Sequence, residues 1–394
     1  MPLGPFYIVD TTLREGEQFI HAHFTTDDKI RIATALDRFG VEYIELTNPA
    51  TSPKSLEDVR AILRLGLRSK VVVHIRCHRD DALRAIDSGA PGISVFLGVS
   101  PYLRRFSHGL DVEAVIDRAA EVLTLIRTEA PHVELRFSTE DTFRSPWADV
   151  FRVYLAVDRL GVVNRLGVAD TVGIATPWQV YSMVRTLRRM TRADIEFHGH
   201  DDTGCAIANA LAALRAGATH INTTVLGIGE RVGITPLGGF IARLYTIDRD
   251  LVRRKYNLAL LPELDRMVAQ TLGLEVPFNN YITGSAAFAH KAGVHTKAVL
   301  HHPAVYEVLD PADFGLSRSI AIAHRLTGWH AIRLRANELG LELTDEEIRQ
   351  VTTQVKALAD ERPITLEDVD EALYRWVQAR VPVSVTSRGR TDGG

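Results

Sequence analysis

Cysteine is scarce. The 394 residues hold two, Cys77 and Cys205, and neither belongs to a C-x-x-C pair. That excludes a disulfide-stapled scaffold and fits a reducing compartment. An excess of one charge is also missing. With 46 Lys and Arg against 49 Asp and Glu the net charge is −3, so nothing draws the chain to nucleic acid or to a membrane surface. No apolar run reaches the length of a membrane span, and the N-terminal residues carry no signal-peptide pattern. A cytoplasmic location is expected. No G-x-G-x-x-G follows the first strand pattern, which counts against a doubly wound dinucleotide fold.

What the chain does have is a regular alternation. Apolar content of 46% and charged content of 24% are those of an ordinary globular protein, too long for one simple core. Short β-branched runs recur at Phe6–Asp10, Val41–Leu46, Val71–Arg76, Ile93–Phe96, Val133–Ser138, Arg165–Ala169, Asp194–His198 and His220–Val225. Amphipathic stretches lie between them, among them Asp27–Phe39, Val112–Arg127, Pro177–Arg189 and Ala206–Ala216. Strand–helix alternation over roughly 250 residues predicts a closed (β/α)₈ barrel, a TIM barrel of the α/β class. Polar residues gather where such a barrel puts its chemistry, at strand C-terminal ends: Asp10 to Gln18, Glu45, His74 and Arg76, Ser94, Arg136 with Ser138 and Glu140, Asp170 and Thr171, and Asn222. Each alone fits a solvated loop; together they describe a polar concave site.

The seventh run ends in Glu196-Phe-His198-Gly-His200. Alternate side chains of a strand share a face, so Glu196, His198 and His200 point one way. Two imidazoles converging beside carboxylates suit a divalent metal, although a bare H-x-H also fits two histidines near a turn. Leu226 to Gly239 is glycine-rich without Walker spacing and reads as a loop closing the last unit. Residues Asp248–Gly273 read as helical and Pro277–Lys297 as a linker or lid. Ile320–Leu339, Thr344–Ala359 and Thr365–Val377 read as three helices, with capping boxes at Thr344/Glu347 and Thr365/Asp368. The expected division is a catalytic barrel over 1–275, a linker or lid over 276–318, a small helical C-terminal domain over 319–381 and a disordered tail over 382–394.

These motifs resemble the metal-dependent acyl-CoA condensing barrels: isopropylmalate, citramalate and homocitrate synthases and hydroxymethylglutaryl-CoA lyase. The resemblance is carried by Asp10-Thr-Thr-Leu-Arg-Glu-Gly-Glu-Gln18, Glu45-Leu-Thr47, His74-Ile-Arg-Cys-His78, Arg136-Phe-Ser-Thr-Glu-Asp141, the H-x-H, Asp202-Thr-Gly-Cys-Ala-Ile-Ala-Asn209, Leu226 to Arg231, Phe278-Asn-Asn280 and His290 to His295. It is similar above all to the homocitrate synthases of lysine biosynthesis, over Phe6 to Val377. The resemblance implies Glu15, His198 and His200 as ligands of a divalent metal (Mn²⁺, Mg²⁺, Co²⁺ or Zn²⁺). It implies Arg14 beside the reacting oxygen, and Gln18, Glu45, His74, Arg136, Ser138, Thr171 and Glu196 around a 2-oxo acid. Glu140, His295 and Tyr306 are implied as acid/base groups, the last two reaching the other subunit of a homodimer with exchanged lids. The implied reaction is condensation of acetyl-CoA with 2-oxoglutarate to homocitrate.

Three features depart from the homocitrate pattern. Asp201 replaces an Asn and adds a potential charge near the metal loop. Phe197 and Gly199 swap sizes on the outer face of the strand. Ser94 replaces an Asp that holds the amine of lysine, so lysine inhibition is expected to be weak. These departures leave room for another anionic 2-oxo acid, such as oxaloacetate or phosphonopyruvate. Two histidines and a carboxylate also match an iron oxygenase, which the barrel pattern opposes. A metabolite-binding regulator that kept the fold would have no need of the acid/base set.

Overall fold

The computed structural model describes residues 3–380; the tail expected to be disordered lies outside them. Eight parallel strands close on themselves in sequence order: β1 (Tyr7–Asp10), β2 (Tyr43–Leu46), β3 (Lys70–Arg76), β4 (Gly92–Phe96), β5 (Glu134–Thr139), β6 (Arg165–Asp170), β7 (Asp194–Gly199) and β8 (His220–Thr223). β8 pairs with β1 through Tyr7 and His220 to Asp10 and Thr223, which completes the ring. The strands lie within a few residues of the sequence expectation. Helices fill the outer layer. Thr26–Phe39 starts on a Thr25/Asp28 capping box and ends on Gly40 in the left-handed region, and Pro177–Met190 starts on a Thr176/Gln179 box. Ile32, Leu36 and Phe39 of the first helix and Val180, Val184 and Leu187 of the second are fully buried, as are Ile44, Val73, Phe137, Leu166 and Phe197 of the strands. This apolar sleeve between sheet and helices is the core.

The chain forms two compact units. The first contains the barrel and ends at Ala287, with Ala312–Leu316 added; the second comprises Phe288–Pro311 and the chain from Ser317 onward. In the second, the helices Trp329–Glu338, Asp345–Glu361 and Leu366–Arg380 pack Ile332, Ile348, Val351, Val355, Val369 and Leu373 into one core. Both expected capping boxes form there, at Thr344/Glu347 and Thr365/Asp368. Among the described residues no helix is long and apolar enough to cross a membrane.

Three segments differ from expectation. Asp248–Gly273 is not one helix but Arg249–Lys255 and Leu261–Thr271, separated where Tyr256 turns extended and Pro262 opens a new first turn. Part of the expected linker is helical, over Gly293–His301. Residues 320–328 are not helical: Ser319–Ile320 pairs in parallel with Ala289–His290, and the helix begins only after Gly328.

Asp265, buried on Leu261–Thr271, accepts hydrogen bonds from Asn280 Nδ2 (3.0 Å) and Thr283 Oγ1 (2.5 Å). Burial pushes its carboxyl up to about 7. The folded state therefore favours the protonated form, a contribution present below pH ~4 and lost as pH rises through about 7. Asp265→Asn, which does not titrate, should gain stability relative to wild type across that interval. Parallel curves of unfolding free energy against pH for the two proteins would contradict this.

Candidate metal centre and pocket

The carboxyl ends of the strands surround a cavity of about 660 Å³. Its wall includes Arg14, Glu15, Gln18, His74, Arg136, Ser138, Glu140, Thr171, His198 and His200, ten of the residues singled out above. Glu45 and Glu196 stand behind the wall, fully buried: Glu45 accepts from Arg14 Nε at 2.9 Å, and Glu196 pairs with Arg136 Nε at 2.8 Å. His295 and Tyr306 belong to the second unit, where their rings lie 4.3 Å apart.

His198 and His200 face the same side of β7 and its extension, as the two-residue period requires. Their Nε2 atoms stand 3.4 Å apart. Glu15 reaches them from the turn after β1, with Oε2 3.9 Å from His198 Nε2 and Oε1 3.8 Å from His200 Nε2. This is the one carboxylate–imidazole cluster of metal-binding geometry found among the described residues. Burial lowers the pKa of both imidazoles, helped by Arg14, so both are neutral at pH 7 and their lone pairs are free to bind a cation. The Nε2 separation is one that a single ion bonded at ~2.1 Å to both can bridge. The donor set fits a divalent metal.

Glu15 is held as an anion. Burial pushes its carboxyl up, but the Arg14 guanidinium and the Glu230 N–H more than offset this and leave it below the usual carboxylate range. The Glu230 N–H donates to Oε1 at 3.0 Å. The glycine-rich loop is thus a support for this carboxylate. A Cβ on Gly229 would stand 2.9 Å from Glu15 Cγ and 3.0 Å from its Oε1, so only glycine lets the loop approach. On the far side, a Cβ on Gly167 would meet the Arg136 guanidinium at 2.4 Å. Gly167 leaves the space that Arg136 occupies.

Every guanidinium in the wall already has an acid. Arg14 donates to Glu45 and Glu15, Arg76 to Asp81 (2.9 and 2.8 Å), Arg136 pairs with Glu196, and Arg231 donates to Asp202 (2.7 and 2.9 Å). Burial lowers His74 to about 3, with Arg14 adding to the effect, so it is a neutral hydrogen-bonding group. Among the described residues Glu140 has no such partner, and burial pushes it up to about 7. Asn48, Thr51, Phe96 and Glu230 also line the cavity. They had drawn no functional role from sequence because each reads as a turn residue or as strand core.

The departures fall into place structurally. Asp201 accepts the N–H of Ala206, the first residue of the helix Ala206–Ala216, at 2.8 Å, which sets its carboxylate at the positive end of that helix. A Cβ on Gly199 would strike the Phe197 ring at 2.7 Å, so the small and large residues form one packing unit beneath the helices. Ser94 is buried between His74 and Arg136 in the strand register.

A family model described as HMGL-like matches residues 5–268, and one described as homocitrate synthase post-HMGL domain-like matches 282–363. Mitochondrial homocitrate synthase of Schizosaccharomyces pombe is 54% identical over 94% of this chain and 88% of its own length. The chain belongs to the homocitrate synthase family. The cytosolic isozyme of Saccharomyces cerevisiae is 50% identical over 94% of this chain and 86% of its own. Among solved structures, an HMG-CoA lyase of Bacillus subtilis superposes with a TM-score of 0.62 over 70% of this chain and 97% of its own; at 22% identity it supports the fold alone.

Crowding the loop should loosen the carboxylate it supports. Gly229→Ala should lower affinity for Mn²⁺ about 10–100-fold, the usual effect of losing a partner of a metal ligand. Titration calorimetry checks this; an unchanged dissociation constant would show that the loop does not hold Glu15.

Proposed function

We propose that this chain condenses acetyl-CoA with 2-oxoglutarate to give homocitrate and CoA, with a divalent cation held by Glu15, His198 and His200. One observation carries the reading: a neutral imidazole pair, an anionic carboxylate, a buried guanidinium and an unpaired raised carboxyl share one pocket wall. The relatives, named homocitrate synthases, favour 2-oxoglutarate over oxaloacetate or phosphonopyruvate.

A bound divalent cation supplies Lewis-acid polarisation of the ketone of a 2-oxo acid. Arg14 lies beside Glu15 and supplies fixed positive charge where the ketone oxygen gains negative charge. Glu45 orients that guanidinium from behind. Gln18, His74, Arg136, Ser138 and Thr171 position the carboxylates of the acceptor, Arg136 being steadied by Glu196. Glu140, His295 and Tyr306 move protons. A methyl proton leaves acetyl-CoA for the base, the resulting carbanion bonds to C2 of the acceptor, and the ketone oxygen takes up a proton. Water then cleaves the thioester and CoA departs.

The catalytic form is a homodimer in which His295 and Tyr306 of one copy serve the barrel of the other. Large apolar side chains exposed around the barrel mouth, Ile20, Trp178 and Val232, support this reading. In the second unit, considered separately, Val294 and Val308 are likewise exposed. Cys77 and Cys205 are unpaired, which fits a reducing, cytoplasmic setting.

CoA release in the presence of acetyl-CoA and 2-oxoglutarate tests the function, and no release with Mn²⁺ or Mg²⁺ present would refute it. With Glu140 acting as the base, turnover should rise with pH through about 7. Glu140→Gln should lose ~10²–10⁴-fold in kcat while still binding 2-oxoglutarate. A mutant as fast as wild type would remove Glu140 from the mechanism. Complementation tests the dimer: mixing the inactive His198→Ala and His295→Ala proteins should restore activity, since mixed dimers contain one intact site. A mixture as dead as its components would place both residues in a site built within one chain.

A further inference from the structure

Three apolar side chains line the pocket among the described residues, Ala50, Phe96 and Ala169, and only Phe96 is large. It closes β4, set by the register between Arg76 of β3 and Ser138 of β5. Its ring stacks on the His74 imidazole, with centroids 4.6 Å apart and planes inclined by 21°. One layer deeper on the same face of β4 is Ser94, small and 1% exposed. The ring therefore lies over a residue too small to fill the space in its absence.

The closed strand order gives this placement its meaning. In a ring of eight strands, β3 and β4 stand across the axis from β7 and β8. An acceptor whose C1 and C2 end lies at Glu15, His198 and His200 directs its chain away from β7. Its far end arrives at His74 and Phe96. His74 is neutral there, so the imidazole offers hydrogen bonding rather than net charge. Phe96 offers a rigid apolar surface and no hydrogen bond.

We infer that Phe96, stacked on His74, sets the upper chain length of the 2-oxo diacid. The ring occupies the volume that one more methylene would need, and it fixes the imidazole against which the distal carboxylate rests. This rests on the condensing function proposed above and adds a specificity determinant to it.

The test is kcat/KM for the four-, five- and six-carbon acids oxaloacetate, 2-oxoglutarate and 2-oxoadipate, measured with wild type, Phe96→Leu and Phe96→Ala. Phe96→Ala should raise the ratio of six-carbon to five-carbon turnover by roughly tenfold or more, the scale on which a hydrophobic pocket distinguishes one methylene. Phe96→Leu should fall between, and carries the test if the alanine protein does not fold. KM for acetyl-CoA should not move. A ratio unchanged in every folded variant, while 2-oxoglutarate still turns over, overturns the inference alone. Wild type silent with all three acids overturns the condensing function and this inference with it.

Discussion

Glu15 cannot be understood apart from Arg14. The two are adjacent in sequence, both buried, and paired, and Glu45 holds the guanidinium from its other side. A lone buried carboxylate would protonate, and a lone buried guanidinium would be very costly. Together they survive burial, and the carboxylate stays anionic where two neutral imidazoles face it. The rest of the site depends on that balance. The glycine-rich loop donates to it, β7 brings nitrogen lone pairs to it, and the barrel closes β8 onto β1 so that the loop and the turn after β1 meet.

The same logic of matched charge extends around the pocket. Arg76, Arg136 and Arg231 each face an aspartate or glutamate, so the wall contains many cations but little uncompensated charge. Such groups are fixed in orientation before a ligand arrives, which is the condition for electrostatic preorganisation. Glu140 is the exception. With no cation paired to it among the described residues, it is pushed by burial up to about 7, so it is protonated in mild acid and titrates near neutrality.

Much of this was legible in the sequence. β-Branched runs separated by amphipathic stretches carry a barrel's period, and the fold puts polar strand ends at one mouth, so Glu15, His74, Arg136, His198 and His200 could be named together. Less legible were features whose cause is tertiary. Gly167 and Gly229 look like any other glycine in sequence; what they accommodate, Arg136 and Glu15, arrives from other parts of the chain. Phe96 reads as strand core because nothing local distinguishes the inner face of β4 from the outer. The helix expected over Ile320–Leu339 was overridden at its start by pairing with Ala289–His290, thirty residues earlier in the chain. Asp201 read only as added charge near the histidine pair; its hydrogen bond to the N–H of Ala206, at the start of the next helix, is a tertiary detail.

The central claim is that one cation is shared by a carboxylate after the first strand and two imidazoles on the seventh. Anomalous diffraction from crystals soaked in Mn²⁺ and 2-oxoglutarate tests it most directly. A single peak within bonding distance of Glu15, His198 and His200, with the ketone and C1 carboxylate of the acid on its remaining positions, is the predicted result. A peak elsewhere, or an acid bound in the pocket with no ion between those three side chains, would contradict the account.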